Sequence, residues 1–349
     1  MAMFLDWFDA PNYHAGATAD IFYESVSSPG VTGLGTGRYG DTYSKTFDIG
    51  GSVIKAGLTA SEWEIVGFSW RENLSSGPRS IMTTESGDGT DVLVWRYAGA
   101  GGACSVRLGV TGSEIATFPA YAATLEWVNT ILAYRANGTV GELHVYKNGK
   151  LLSSQYDIQT KHASVVGNPE QLRVAGQSIN ITDIWRYAGT PDGSLTAEVP
   201  GDLFVWTGFA ETNGHYVDFT FSGAGVTANY QAIDENATDE DTSFNQTSDV
   251  DVRDSFYFQN VPPDKVQDGT IVGVRVVAAM RFTDSGPHEA DVFARHPISG
   301  TPVDTDGATK LLSNTYRLVE SLWPTVPGTT TAWSIALIDD TEWGYHTVS

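Results

Sequence analysis

Asn148 and Gly149 do more than any other residues to limit what this chain can become. They separate two alternating runs, 142–146 and 151–155, and Asn-Gly between such runs marks a two-residue hairpin turn. A type I′ turn needs positive φ at both central residues, which Asn tolerates and Gly adopts freely. Upstream, Asn137-Gly138-Thr139 interrupts a third alternating run, 130–136, which Trp127 introduces. The spacing predicts three antiparallel strands in succession. Leu143, Val145 and Leu151 share a buried face, with His144, Tyr146 and Lys147 turned outward or toward an edge.

The same alternation recurs along the first half. Residues 62–71 place Trp63, Ile65, Gly67 and Ser69 on one face and Val66, Phe68 and Trp70 on the other. Aromatic rings on both faces predict an inner strand of a curved sheet. Further strands are expected at 79–85, 91–97, 104–108, 172–174 and 179–187, with turn residues between them. The hexapeptide starting at Val94, with Trp95, Arg96 and Tyr97, returns at Ile184 with Trp185, Arg186 and Tyr187. It is too short for a repeat architecture and reads as two strands packed alike, with cation–π contact open to the arginines. Helix-forming amphipathic segments are scarce, so the fold class is all-β. With 349 residues and 41% hydrophobic content the chain can bury two sandwich cores. Two antiparallel β-sandwich domains are expected at 1–190 and 201–349. The Pro- and Gly-bounded segment 191–200 is the expected linker.

A tryptophan opening a strand, followed by a strand ending in Val145-Tyr146 and then Asn148-Gly149, resembles the laminin-G/concanavalin-A-like jelly-roll sandwich. The resemblance covers about the first 190 residues and implies the fold of that domain. Lectins, glycosidases, adhesins and virion proteins all use it, so it does not imply an activity. The second half resembles a module of tailed-bacteriophage structural proteins. The resemblance rests on Asn229-Tyr230, on Ile233-Asp234-Glu235 with Asp239-Glu240-Asp241-Thr242, and on Asp254 to Phe258. It continues through Trp323-Pro324, Ala332-Trp333-Ser334 and Glu342-Trp343-Gly344-Tyr345. It implies a non-enzymatic structural component of a phage virion, a minor tail, tail-tip or head decoration protein. Such a protein assembles in the host cytoplasm, packs against other virion proteins and forms a homo-oligomer. Within this half, Val272, Val274, Val276 and Ala278 alternate with Gly273, Arg275, Val277 and Ala279, which predicts a central strand. Residues 291–294 and 317–322 are its expected neighbours.

Charge excludes some partners. The formal net charge is −22, most of it in the last 150 residues, and no basic cluster is available to neutralise phosphates. Nucleic acid is therefore not an expected partner, and neither is insertion into a membrane. Cys104 is the single cysteine, so no intrachain disulfide forms, and its place in a strand predicts a small buried hydrophobe. The first residues lack a charged region followed by an apolar stretch, so no signal peptide or transmembrane segment is expected.

No catalytic or cofactor-binding residue is expected. The acidic run from Asp234 to Asp254, with Glu235, Asp239 and Asp241, is a candidate subunit contact or Ca²⁺ site, although it lacks an EF-hand loop pattern. Trp95, Trp127 and Trp185 are candidates for a glycan platform, the alternative function being an adhesin that binds host glycans through the first sandwich. A second alternative is a glycoside hydrolase. It needs two facing carboxylates, and Glu62 and Glu64 flank Trp63 without the usual three-carboxylate strand.

Overall fold

A computed structural model of the chain describes residues 3–9, 25–27, 31–36, 43–47, 51–72, 78–98, 103–109, 111–119, 121, 126–176, 179–201, 203, 205–234, 241–262, 270–283, 288–298 and 300–348. The chain divides into two compact units, Met1–Val205 and Trp206–Ser349.

The first unit contains β1 (Phe4–Asp9), β2 (Ser25–Ser27), β3 (Val31–Thr36), β4 (Tyr43–Phe47), β5 (Gly51–Lys55), β6 (Trp63–Glu72), β7 (Arg79–Ser86), β8 (Asp91–Tyr97), β9 (Cys104–Leu108), β10 (Glu114–Phe118), β11 (Val128–Arg135), β12 (Gly141–Lys147), β13 (Lys150–Ile158), β14 (Pro169–Gly176) and β15 (Ile179–Ala188). One antiparallel sheet runs β13-β12-β11-β6-β15-β4-β3, with β1 also paired to β15. The other runs β10-β9-β8-β7-β14-β5-β2. Their facing sides make one core, in which Val66, Phe68, Trp70, Leu132, Leu143 and Val145 meet Ile81, Leu93, Trp95, Tyr97, Cys104 and Val106. The all-β sandwich class, the strand positions and the buried cysteine all follow the sequence.

Asn148 and Gly149 have φ of 49° and 74°, the pair of positive values a type I′ turn demands. The register of the hairpin departs from expectation in one place. A bulge between Val145 and Tyr146 pairs Tyr146 with Leu151, and Leu151 is 44% exposed on the edge strand instead of buried. His144 and Tyr146 do lie on the opposite face from Leu143 and Val145, yet both are buried.

That opposite face carries a second apolar cluster, Ile65, Ile131, Ala133, Tyr146, Trp185 and Leu195, with Val199 and Leu203 packed against it. Leu195, Val199 and Leu203 lie on the sheet, so the segment expected to be a linker belongs to the first unit, which ends at Val205. Composition signalled the Pro and Gly at its ends and missed Leu195 and Val199, which anchor it.

The repeated hexapeptide is inverted in space. Trp95 and Tyr97 point into the sandwich core, whereas Trp185 and Tyr187 sit in the cluster on the outer face. A bulge between Thr182 and Trp185 switches which face the following residues take, so Arg186 points inward. The two strands are not packed alike.

The second unit contains β16 (Ala210–Val217), β17 (Thr220–Gly223), β18 (Ser243–Gln246), β19 (Val252–Phe258), β20 (Val274–Met280), β21 (Glu289–Ile298), β22 (Thr301–Asp306), β23 (Lys310–Leu311), β24 (Arg317–Trp323), a short helix α1 (Ile335–Asp339) and β25 (Glu342–Thr347). Its main sheet runs β16-β19-β25-β21-β22, and β23 pairs with β21. β20 is not the central strand its composition predicts. It pairs with β24 alone, and the β20–β24 ribbon lays Val276, Ala278 and Val319 on Ala290 and Val292 of the main sheet. Of its expected neighbours, 317–322 is a pairing partner and 291–294 is a packing partner. Small branched residues suit close face-to-face packing as well as they suit a sheet centre.

Candidate functional site

The predicted glycan platform does not assemble. Trp95 and Trp185 are fully buried on opposite faces of different sheets and present no ring to a ligand. Trp127 is half-buried, with Arg71 Cζ 5.2 Å from its ring centroid. Aromatic rings in alternating strands have two possible faces, and here both faces are covered.

The described residues of the acidic run do not share one role. Asp234 is exposed, while Glu235 and Asp239 lie outside the described residues. Asp241 Oδ1 accepts hydrogen bonds from Arg281 at 2.6 Å and from the Tyr316 hydroxyl at 2.9 Å, so residues of its own chain already engage this carboxylate. Asp254 is buried. Its Oδ1 accepts from Phe219 N at 3.0 Å and its Oδ2 from Asn229 Nδ2 at 2.6 Å. Desolvation pushes its carboxyl up, and the Phe219 and Asn229 bonds pull it back. Asp254 thus holds the 219–229 segment against β19.

The two carboxylates flanking Trp63 also separate. Glu64 is fully buried, bonded to Arg186 and to the Tyr134 hydroxyl. Substrate cannot reach it, so Glu62 and Glu64 do not form an acid–base pair across a cleft.

Glu62, by contrast, is accessible and belongs to a surface that sequence reasoning did not assemble. Registers across four strands bring Tyr156 of β13 opposite Glu142 of β12, Glu142 opposite Arg135 of β11, and Arg135 opposite Trp63 of β6. All four side chains stand on the outer face, at the end of the sheet where Trp63 packs against the apolar cluster. Arg135 is fixed twice. Its Nε donates to Glu62 Oε1 at 2.7 Å, and its Cζ lies 5.1 Å from the Trp63 ring centroid. Asn137 Nδ2 donates to the same Glu62 oxygen at 3.3 Å. His144 sits buried behind the row, with Nε2 2.5 Å from Glu142 Oε1 and Nδ1 2.9 Å from Ser154 Oγ. Tyr156 is 59% exposed and meets the His144 ring edge-on at 5.3 Å. A planar cation, two carboxylates and an open aromatic ring are thereby held on rigid strands, each by a neighbour that stays behind it. Alternation puts Glu142 on the same side of its strand as the outward His144, but it says nothing of Trp63, 93 positions upstream of Tyr156.

The outer face of the main sheet of the second unit is charged. Arg295 Nη1 bonds Asp304 at 2.9 Å, Arg253 bonds Asp306 through two nitrogens at 2.6 and 3.1 Å, and Ser255 Oγ donates to Glu342 at 2.7 Å. Asp291, Asp306 and His346 bring potential metal-ligand atoms within 4.8 Å of one another. No helix among the described residues is long and apolar enough to cross a membrane.

No protein-family model matches the chain, and no curated protein matches it. Solved structures do. Domain 4 of an extracellular arabinanase from Geobacillus stearothermophilus, determined with arabinotriose, is 10% identical with a TM-score of 0.38. The match covers 56% of this chain and 97% of that domain. A carbohydrate-binding module from Bacillus subtilis is 12% identical with a TM-score of 0.32, the match covering 46% of this chain and 93% of the module. A galectin from Caenorhabditis elegans is 10% identical with a TM-score of 0.29, the match covering 38% of this chain and 89% of the galectin.

Proposed function

We propose that the first unit is a carbohydrate-binding module, and that its ligand lies across Tyr156, Glu142, Arg135 and Trp63. The observation that carries this is the four-strand row itself, an exposed aromatic ring in line with a clamped guanidinium and two hydrogen-bonded carboxylates. A pyranose or furanose ring offers one apolar C–H face and a rim of paired hydroxyls. Tyr156 supplies a flat apolar surface for the face. Arg135, Glu62 and Glu142 supply charge-assisted donors and acceptors for the rim. Because Trp63, Glu62 and His144 already fix these groups, little side-chain entropy is lost on binding. The virion setting implied by the sequence resemblance is compatible with this role and rests on that resemblance alone.

The test is a glycan array probed with the full chain and with Arg135→Ala. The proposal expects the unchanged protein to select one or more related glycans and the variant to lose them while melting normally. An unchanged selection by the variant would refute the site.

A further inference from the structure

We propose that Asp291, Asp306 and His346 bind one divalent transition-metal ion of the Zn²⁺ class. Strand register brings the three together. Asp291 of β21 is directly opposite His346 of β25, and Asp306 of β22 is opposite Phe293, two residues along β21 on the same face. One carboxylate oxygen from each aspartate and one imidazole nitrogen lie within 4.8 Å of one another. His346 Nδ1 is 3.4 Å from Asp291 Oδ2, long for a hydrogen bond. It matches two ligands of one ion, since bonds of about 2.0–2.1 Å at tetrahedral angles put donor atoms about 3.4 Å apart.

Two further observations point to a ligand. Asp291 is 2% exposed, and its Oδ1 has no hydrogen-bond partner among the described residues. A buried carboxylate left short of a partner is costly, and a cation on its Oδ2 offsets that cost by neutralising the charge that both oxygens share. The second is the far side of the imidazole. His346 Nε2 lies 3.2 Å from Asp251 Oδ1, so with Nδ1 on the metal the other ring nitrogen donates to a carboxylate, the usual support of a metal-bound histidine.

Charge agrees. Asp251, Asp291 and Asp306 bring three carboxylates around one imidazole, and Arg253 on Asp306 supplies one guanidinium. A dication cancels the remainder. Asp306 need not release Arg253, because a carboxylate has more lone pairs than its two bonds to Arg253 use. Asp306 is exposed and opens the site to solvent, which can supply the fourth ligand. A nitrogen donor beside two monodentate carboxylates disfavours Ca²⁺ and Mg²⁺, which take oxygen ligands in larger number.

Co²⁺ is the probe, titrated into the full chain and read by visible absorption, with Zn²⁺ as competitor. The expected result is the d–d spectrum of four-coordinate Co²⁺, saturating at one equivalent and abolished by Zn²⁺. Zn²⁺ should also raise the melting temperature. Asp306→Asn, at an exposed position, should leave the fold intact and remove the spectrum. Asp251→Asn keeps a residue type tolerant of the positive φ there (58°) and should weaken Co²⁺ binding by about tenfold or more. Two results overturn the proposal. One is an unchanged protein with no spectrum and no thermal shift. The other is binding that Asp306→Asn and His346→Gln leave undiminished, which would place the ion on other side chains.

Discussion

Arg186 holds the first sandwich together at one end of its core, and replacing it is the sharpest test of the packing described above. Its side chain is 1% exposed and joins elements far apart in sequence. Nε donates to Glu64 Oε1 at 2.6 Å, Nη1 pairs with Asp6, and Nη2 donates to the carbonyls of Thr59 at 2.8 Å and Pro169 at 3.1 Å. Glu64 in turn accepts from the Tyr134 hydroxyl, which lies 2.7 Å from Thr84 Oγ1. Arg186→Met fills most of the volume and removes the charge, leaving the Glu64 and Asp6 carboxylates and the Thr59 and Pro169 carbonyls without the guanidinium. Breaking one side of a buried, hydrogen-bonded ion pair costs about 3–5 kcal/mol. For a unit of this size, each kcal/mol moves the melting temperature by about 2–4 °C, so a fall of about 6–20 °C is expected by calorimetry. Burial pushes the Glu64 carboxyl up, and Arg186 is the strongest pull against it. A carboxyl raised in the folded state keeps a proton that the unfolded chain releases. Its contribution is full below the unfolded value and is lost as pH rises through the folded one. Without Arg186 the folded value rises further, so the deficit of the variant grows from acid toward neutral pH. Adding Glu64→Leu to Arg186→Met should recover part of the loss, since one of the two stranded carboxylates is gone. A deficit under about 1 kcal/mol at neutral pH, or one equally large in acid, refutes the reasoning.

Three other outcomes are expected. Gly149→Val forces a β-branched residue to positive φ and should destabilise the first unit by about 1 kcal/mol or more; an unchanged melting temperature contradicts the turn. A Cβ on Gly67 would run into the Trp185 ring, so Gly67→Ala should cost about 1–3 kcal/mol by overpacking, read by urea denaturation; a neutral result means Trp185 does not lie over that strand. Limited proteolysis should release a first-unit fragment that still carries Leu195 and Leu203, because both are packed on its sheet; a first cut between Thr190 and Pro200 would show the segment to be free.

What the sequence revealed was whatever a single strand decides for itself. The Asn148-Gly149 turn depends on φ at two adjacent residues, and the two-faced character of β6 depends on alternation within one run. Both were legible. Where a bulge intervenes, local pattern misleads. One extra residue near Asp183 turned Trp185 and Arg186 to the opposite faces from Trp95 and Arg96, and another bulge left Leu151 exposed. The proposed sugar row was hidden for a different reason. Trp63, Arg135, Glu142 and Tyr156 become neighbours only through the β6-β11-β12-β13 order, which no spacing encodes. Asp291, Asp306 and His346 are likewise joined by register across three strands and follow no metal-binding motif. The acidic run drew notice by density, yet density does not tell a buried structural carboxylate such as Asp254 from a solvated one such as Asp234.

The central claim is that sugar lies on the outer face of the β13-β12-β11-β6 sheet, and the structure of the full chain crystallised with the glycan selected on the array tests it most directly. The account predicts a sugar ring against Tyr156 with hydroxyls bonded to Arg135 and to Glu62 or Glu142, and with Trp63 still stacked beneath Arg135. A ring bound anywhere else, over Trp127 or on the charged face of the second unit, would contradict it.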